Sequence, residues 1–236
     1  MNGRERAKQA AGEAAADLAE TGMIVGLGTG STARFAIERL GERYANGELR
    51  IQCVSTSEES ADLARTLGLP VIGLEGLEAV DLTIDGADEI DAHFQMIKGG
   101  GGALLREKIV ASLTRHQVII VDSGKLVDVL GRFPLPVEVI PFGWSVVAGK
   151  IRALGGEPRR RVLKDGSPYF TDNGNCILDC RFFPIDAPRA LEMKLLAIPG
   201  VLEVGLFVNL AHTLIIGRED GSVEVRRREE RRGGGA

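Results

Sequence analysis

The sequence predicts an α/β fold: a Rossmann-like open parallel sheet with helices on both faces, joined to a smaller ferredoxin-like α+β domain. Three observations carry this. Short apolar runs alternate with amphipathic segments through the first half of the chain, joined by short glycine-bearing turns. The stretch Phe133-Pro134-Leu135-Pro136 then breaks the rhythm. Beyond it the pattern reads strand, helix, strand, strand, helix, strand. The expected division is therefore 1–131 with 207–236 as the Rossmann-like unit, and 132–206 as the smaller one.

The elements follow in order. Residues 4–21 place Ala7, Ala11, Ala14 and Leu18 at helical spacing. Met23–Leu27 is a short buried strand that empties into G-L-G-T-G-S-T (26–32), followed by a helix from Thr32 to Tyr44. A second strand spans Ile51–Ser55. Thr56-Ser57-Glu58-Glu59 then reads as a capping box, with Thr56 at the helix start and Glu59 reaching back. That helix runs to Leu67, where Gly68 stops it. Strands near Val71–Gly73 and over Val80–Ile84 precede D-G-A-D-E-I-D (85–91). Lys98, at the end of another expected strand, opens K-G-G-G-G-A-L-L-R-E-K; a helix over Ala103–Leu113 and a strand over Val118–Val121 follow. In the smaller unit the readings are strand 136–140, helix 144–154, strands 158–163 and 176–181, helix 188–197 and strand 201–206. Residues 207–226 hold two alternating strands around Glu219-Asp220-Gly221 and return to the first unit. The charged, glycine-rich tail is expected to fray, and its glutamates dilute any nucleic-acid-binding arm.

Composition narrows the function. The chain has 236 residues, is 44% hydrophobic and 26% charged, and carries a net charge of −4. Nothing attracts it globally to nucleic acid or anionic membranes, and no apolar run is long enough to span a bilayer. The N-terminus lacks the apolar stretch of a signal peptide, so a cytoplasmic location is expected. Three cysteines, Cys53, Cys176 and Cys180, argue against a disulfide framework. Cys176 and Cys180 face the same way along a strand, and no second Cys/His pair completes a zinc site. The three histidines are scattered along the chain.

Three stretches carry chemistry. G-L-G-T-G-S-T between strand and helix presents backbone N–H groups to an anion. It is neither a nucleotide P-loop, lacking the lysine, nor a dinucleotide fingerprint, since Ser31 stands where the third glycine belongs and Ser55 where a ribose-binding acid belongs. Hydroxyls at Thr29, Ser31, Thr32 and again at Ser55, Thr56 and Ser57 suggest a small phosphorylated ligand. In D-G-A-D, Asp85 and Asp88 bracket Gly86 and Ala87 tightly enough for their carboxylates to converge, which would split their proton affinities; divalent metal binding is the alternative. In the glycine run, Lys98 and Glu107 come to the same sheet edge. A carboxylate base and a cation suit proton transfer next to a carbonyl. Lys125 offers a second cation.

These blocks resemble the type A ribose-5-phosphate isomerases. The resemblance runs from V-G-L-G-T-G-S-T-A through T-I-D-G-A-D-E-I, M-I-K-G-G-G-G-A-L-L-R-E-K, F-P-L-P-V-E-V-I-P and T-D-N-G-N-C-I-L-D to I-P-G-V-L-E-V-G-L-F. It implies interconversion of D-ribose 5-phosphate and D-ribulose 5-phosphate without metal or cofactor, in dimers or tetramers. It implies Glu107 as base, Lys98 as stabiliser of the negative oxygen, and Asp85 and Asp88 on the sugar hydroxyls. Thr29, Gly30, Ser31, Thr32, Gly86, Ala87, Gly99, Gly100, Gly101 and Lys125 would line the substrate site. One departure is Gly102, where many relatives carry alanine; its expected effect is only to loosen the helix start. The rival readings are a sugar-phosphate-binding regulatory domain and a coenzyme A transferase.

Overall fold

The apolar runs and amphipathic segments of the first half assemble, in a computed structural model that describes residues 1–228, around one six-stranded sheet. The chain runs α1 (Gly3–Ala16), β1 (Ile24–Leu27), α2 (Ala33–Ala45), β2 (Gln52–Ser55), α3 (Glu58–Thr66) and β3 (Val80–Gly86). Two short strands, β4 (Glu89–Ile90) and β5 (Met96–Ile97), lead into α4 (Leu104–Leu113), and β6 (Thr114–Asp122) follows at once. Next come β7 (Leu135–Val139), α5 (Trp144–Ala153), β8 (Glu157–Arg160), β9 (Cys176–Arg181), α6 (Pro188–Leu196) and β10 (Val201–Val204). The chain closes with β11 (Leu206–Phe207), β12 (Thr213–Gly217) and β13 (Val223–Arg227).

The large sheet has the order β13-β12-β6-β3-β1-β2, parallel throughout except at β13. The four-stranded antiparallel sheet has the order β10-β7-β9-β8, which is the ferredoxin-like arrangement. A third sheet, antiparallel, has the order β11-β5-β4, its strands drawn from between β3 and β6 and from between β10 and β12.

Each sheet buries its own apolar layer. Val25, Leu27, Ile37, Leu40, Ile84 and Ile120 are sealed between the large sheet and its helices. Val137, Leu178, Val204, Ile151 and Leu195 form the core of the smaller sheet, and Cys176 and Cys180 pack there as free thiols. A further cluster joins the two: Ile119 of β6, Ile177 of β9, Leu104 of α4 and Phe207 of β11. Full burial of each such side chain is worth about 1.5–3 kcal/mol. The proline-marked boundary is pinned as well, because the buried Glu89 carboxylate accepts the N–H groups of Gly131 and Phe133.

Several sequence expectations need correction. Helix α1 ends at Ala16 and leaves Leu18 exposed; its buried face is alanine-rich, with Ala7, Ala11, Ala15 and Ala16. Helix α3 is capped by Ser57, whose hydroxyl accepts the Ser60 N–H, rather than by Thr56. Val71 makes only an isolated bridge to Cys53 instead of a strand. Residues 201–206 split at Gly205 into β10 and β11, which belong to different sheets. His116 and His212 are not scattered in space: their rings stack 5.6 Å apart. Residues 229–236 of the tail lie outside the described residues.

Candidate active site

Strands β1 and β3 are neighbours, but the chain leaves β1 towards β2 and leaves β3 towards β6, on opposite sides. Such a divergence opens a crevice at the carboxyl ends of a parallel sheet. A cleft of about 280 Å³ lies there, lined by Thr29–Thr32 after β1, Gly86–Asp88 after β3, Lys98–Gly101 after β5, and Glu107 of α4. Lys125 lies on it too, in the short 3-10 turn after β6.

Lys98 follows β5, which belongs to the small three-stranded sheet rather than to the large one as expected. Its backbone is fixed by the N–H bond to the Gly205 carbonyl, 2.9 Å. The residue is 2% exposed. Lys98 Nζ lies 2.9 Å from Asp85 Oδ2 and 3.0 Å from Glu107 Oε1, and donates to the Gly86 carbonyl. Glu107, 5% exposed, stands in the first turn of α4. Its second oxygen, Oε2, is buried with no hydrogen-bond partner among the described residues.

These surroundings set the proton affinities. Burial pushes the Glu107 carboxyl up to about 8, with the Asp85 and Asp88 charges adding to it against the pull of Lys98. Burial works against the Lys98 ammonium, but the adjacent Asp85 and Glu107 carboxylates outweigh it and raise its affinity for its proton.

The two aspartates take different partners. Asp85 is 1% exposed and does not line the cleft. Its Oδ1 accepts the N–H of Thr29 and of Gly86, while Oδ2 faces Lys98. Asp88 does line the cleft, and its Oδ2 accepts the Gly100 N–H at 2.7 Å. Gly100 is required by that approach, since a Cβ there would overlap the Asp88 carboxylate. Gly102 is required differently: its φ is 87°, and a Cβ would overlap the Tyr169 hydroxyl. Gly102 therefore does more than loosen the helix start, because both its backbone and the Tyr169 hydroxyl call for glycine. Among the described residues, no group of three or more His, Cys, Asp or Glu is placed to hold a metal.

The hydroxyls expected at the site divide into two groups. Thr29 Oγ1 bonds Thr56 Oγ1 at 2.7 Å and donates to Ser57 Oγ at 2.9 Å. Thr56 and Ser57 thus buttress the glycine loop from behind, and none of Ser55, Thr56 and Ser57 lines the cleft. Two lining residues carry no sequence signal of their own. Lys8 and Arg4, one turn apart on α1, reach the cleft, with Lys8 Nζ 2.8 Å from Ser31 Oγ and Arg4 paired with Asp122. Their only mark in the sequence is a basic i, i+4 pair on an otherwise alanine-rich helix. Lys8, Lys125, Ser31 and Thr32 line the same cleft and offer it ammonium and hydroxyl groups of the kind an anion pocket needs.

A family model described as ribose 5-phosphate isomerase A (phosphoriboisomerase A) matches residues 52–221. The chain is 50% identical over 219 residues to ribose-5-phosphate isomerase A of Bacillus mycoides, covering 92% of this chain and 98% of that one. It is 51% identical over 223 residues to the Sphingopyxis alaskensis protein of the same name, covering 94% and 96%. Among solved structures, ribose 5-phosphate isomerase A from Methanocaldococcus jannaschii superposes with a TM-score of 0.90 at 39% identity, covering 95% and 99%. A D-ribose-5-phosphate isomerase in complex with phospho-erythronic acid superposes with a TM-score of 0.92 at 38% identity, covering 97% and 100%.

Proposed function

The chain belongs to the ribose 5-phosphate isomerase A family and interconverts ribose 5-phosphate and ribulose 5-phosphate in the pentose phosphate pathway, and from that premise we propose how its residues divide the work. The match leaves no room for the regulatory-domain or coenzyme A transferase readings. Glu107 is the base. It takes the C2 proton of the open-chain aldose; the C–H electron pair becomes the C1=C2 bond and the carbonyl electrons move onto O1. Once a proton has passed from O2 to O1, Glu107 returns its own to C1 and leaves the ketose. The observation that carries this is the pairing of Lys98 Nζ with Glu107 Oε1 at 3.0 Å, beside an unengaged Oε2, at the cleft. A base with a raised proton affinity is stronger, and a fixed ammonium beside it stabilises the enediolate.

Asp85 works from beneath the cleft as the group that holds Lys98, and Asp88 both meets the sugar hydroxyls and holds the Gly100 peptide. Lys8, Lys125, Ser31 and Thr32 take the phosphate. The Thr29–Thr32 and Gly86–Ala87 backbones and the Lys98–Gly101 loop line the sugar. Phospho-erythronic acid, bound by the relative above, is a four-carbon acid phosphate whose carboxylate imitates an enediolate, and we take it to occupy this cleft as well.

The proposal includes two units, 1–131 with 207–236 and 132–206, a cytoplasmic location, and a dimer or tetramer. Supporting the last, Phe142 and Val146 stand exposed on the smaller unit, and light scattering would read the assembly. No helix among the described residues is long and apolar enough to cross a membrane.

The test is direct: incubate the protein with ribose 5-phosphate in EDTA and follow ketose formation beside Glu107→Gln. Turnover should fall about 10²–10⁴-fold in the variant. Full activity in Glu107→Gln would remove Glu107 from the mechanism.

A further inference from the structure

Arg161 lies outside the cleft, just past β8 in the smaller unit, yet its guanidinium grips the loop that carries the site. Its Nη1 donates to the carbonyls of Gly99, at 2.9 Å, and Gly100, at 3.0 Å. Its Nε donates to Asp179 Oδ2 at 2.9 Å and its Nη2 to Oδ1, so the fork is held by a two-point carboxylate contact. The Tyr169 ring lies 5.6 Å from the guanidinium, and its hydroxyl donates to the next carbonyl, Gly101, at 3.3 Å. Three successive carbonyls are thus turned towards the smaller unit.

In a trans peptide the N–H points opposite to the C=O of the same plane. Fixing the carbonyls of Gly99 and Gly100 therefore aims the N–H groups of Gly100 and Gly101 away from Arg161. The first of these verifies the geometry, because the Gly100 N–H meets Asp88 Oδ2 at 2.7 Å. The second, the Gly101 N–H, has no acceptor among the described residues, and Gly101 lines the cleft. A cation on a peptide oxygen also polarises that peptide and strengthens the donor at its other end.

We propose that Arg161 is a positioning residue for the isomerisation: by holding the Gly99 and Gly100 carbonyls it presents the Gly101 N–H as a polarised hydrogen-bond donor to the bound sugar phosphate. Asp179 orients the guanidinium and does not touch the loop. The inference rests on the cleft being the isomerase site, and its test separates the two.

Arg161→Ala, Arg161→Lys, Asp179→Asn and Glu107→Gln are assayed together on ribose 5-phosphate, each with its thermal unfolding curve. Arg161→Ala should lose about 10–100-fold in kcat/KM while remaining folded. Added methylguanidinium at millimolar concentration should restore part of that loss and methylammonium none, a response that a merely structural arginine would not give. Arg161→Lys keeps the charge but not the fork, and should fall between alanine and wild type; Asp179→Asn should lose only a few-fold. Arg161→Ala with kcat/KM within twofold of wild type, or a loss that follows the unfolded fraction and ignores methylguanidinium, overturns the proposal. Should Arg161→Ala fail to fold, Arg161→Lys decides: activity equal to wild type overturns it. An active Glu107→Gln would sink the reading of the site instead.

Discussion

Two lysines ten positions apart have almost the same surroundings and different uses. Lys98 Nζ meets two carboxylates, Asp85 and Glu107, and a backbone carbonyl, Gly86. Lys108 Nζ meets two carboxylates, Glu192 and Glu203, each at 2.7 Å, and a backbone carbonyl, Val204. Both ammonium groups lie near the same Phe207 ring, at 5.4 and 4.9 Å. The Lys98 group opens on the cleft and contains a carboxylate oxygen with nothing to bind. The Lys108 group ties α4 to α6 and β10, and does not line the cleft. A lysine held by two acids is therefore no mark of a site. What distinguishes one is an unfinished coordination facing a cavity.

Substitutions can break this contrast. Lys98→Met should lose about 10²–10³-fold in kcat/KM per folded molecule, the scale of one lost oxyanion donor, measured by initial rates on ribose 5-phosphate. Lys108→Met should instead lose stability, about 3 kcal/mol, because Glu192 and Glu203 are left without their cation. That is roughly 6–12 °C in Tm by calorimetry, with turnover per folded molecule close to wild type. Swapped outcomes, with Lys108→Met inactive but stable, would erase the distinction.

The pH profile sharpens the Lys98 side. Glu107 must be ionised to accept a proton, and its carboxyl is pushed up to about 8. Activity should therefore fall as pH drops: kcat/KM should decline about tenfold per unit below 8 and level above it. A flat profile between pH 6 and 8 would mean that substrate, or Lys98, holds Glu107 ionised. The smallest effect belongs to the anion pocket. Lys8→Ala should raise KM about tenfold with kcat within twofold, and the gap should narrow at high salt, because the contact is exposed.

Much of this was legible in the sequence, for local reasons. Glycine loops at strand ends, alternating periodicity and the proline-marked boundary are written in neighbouring residues, and they located the sheet edge and the Lys98–Glu107 pair. The missed features depend on contacts between distant segments. Asp85 turns inward because Thr29, Gly86 and Lys98 satisfy it there, a choice made by packing and invisible in D-G-A-D. Thr56 and Ser57 serve the loop rather than the ligand because Thr29 is folded against them, and Ser55 donates to the Ser57 carbonyl instead. Arg161 reaches its loop across about sixty positions of sequence. Lys8 is an ordinary helical lysine until packing brings α1 to the cleft and Lys8 to Ser31.

Gly102 has a consequence for how this chain can change. Its left-handed backbone and the Tyr169 hydroxyl pressed against it exclude alanine together. Removing the Tyr169 hydroxyl would relieve only the overlap, because a φ of 87° strains any side chain whatever the space around it. An exchange at 102 therefore needs two adjustments, room at 169 and a reshaped turn, and a substitution at 169 supplies only the first. The loop beside the site is thus held to its sequence twice over, once by its neighbour and once by its own backbone.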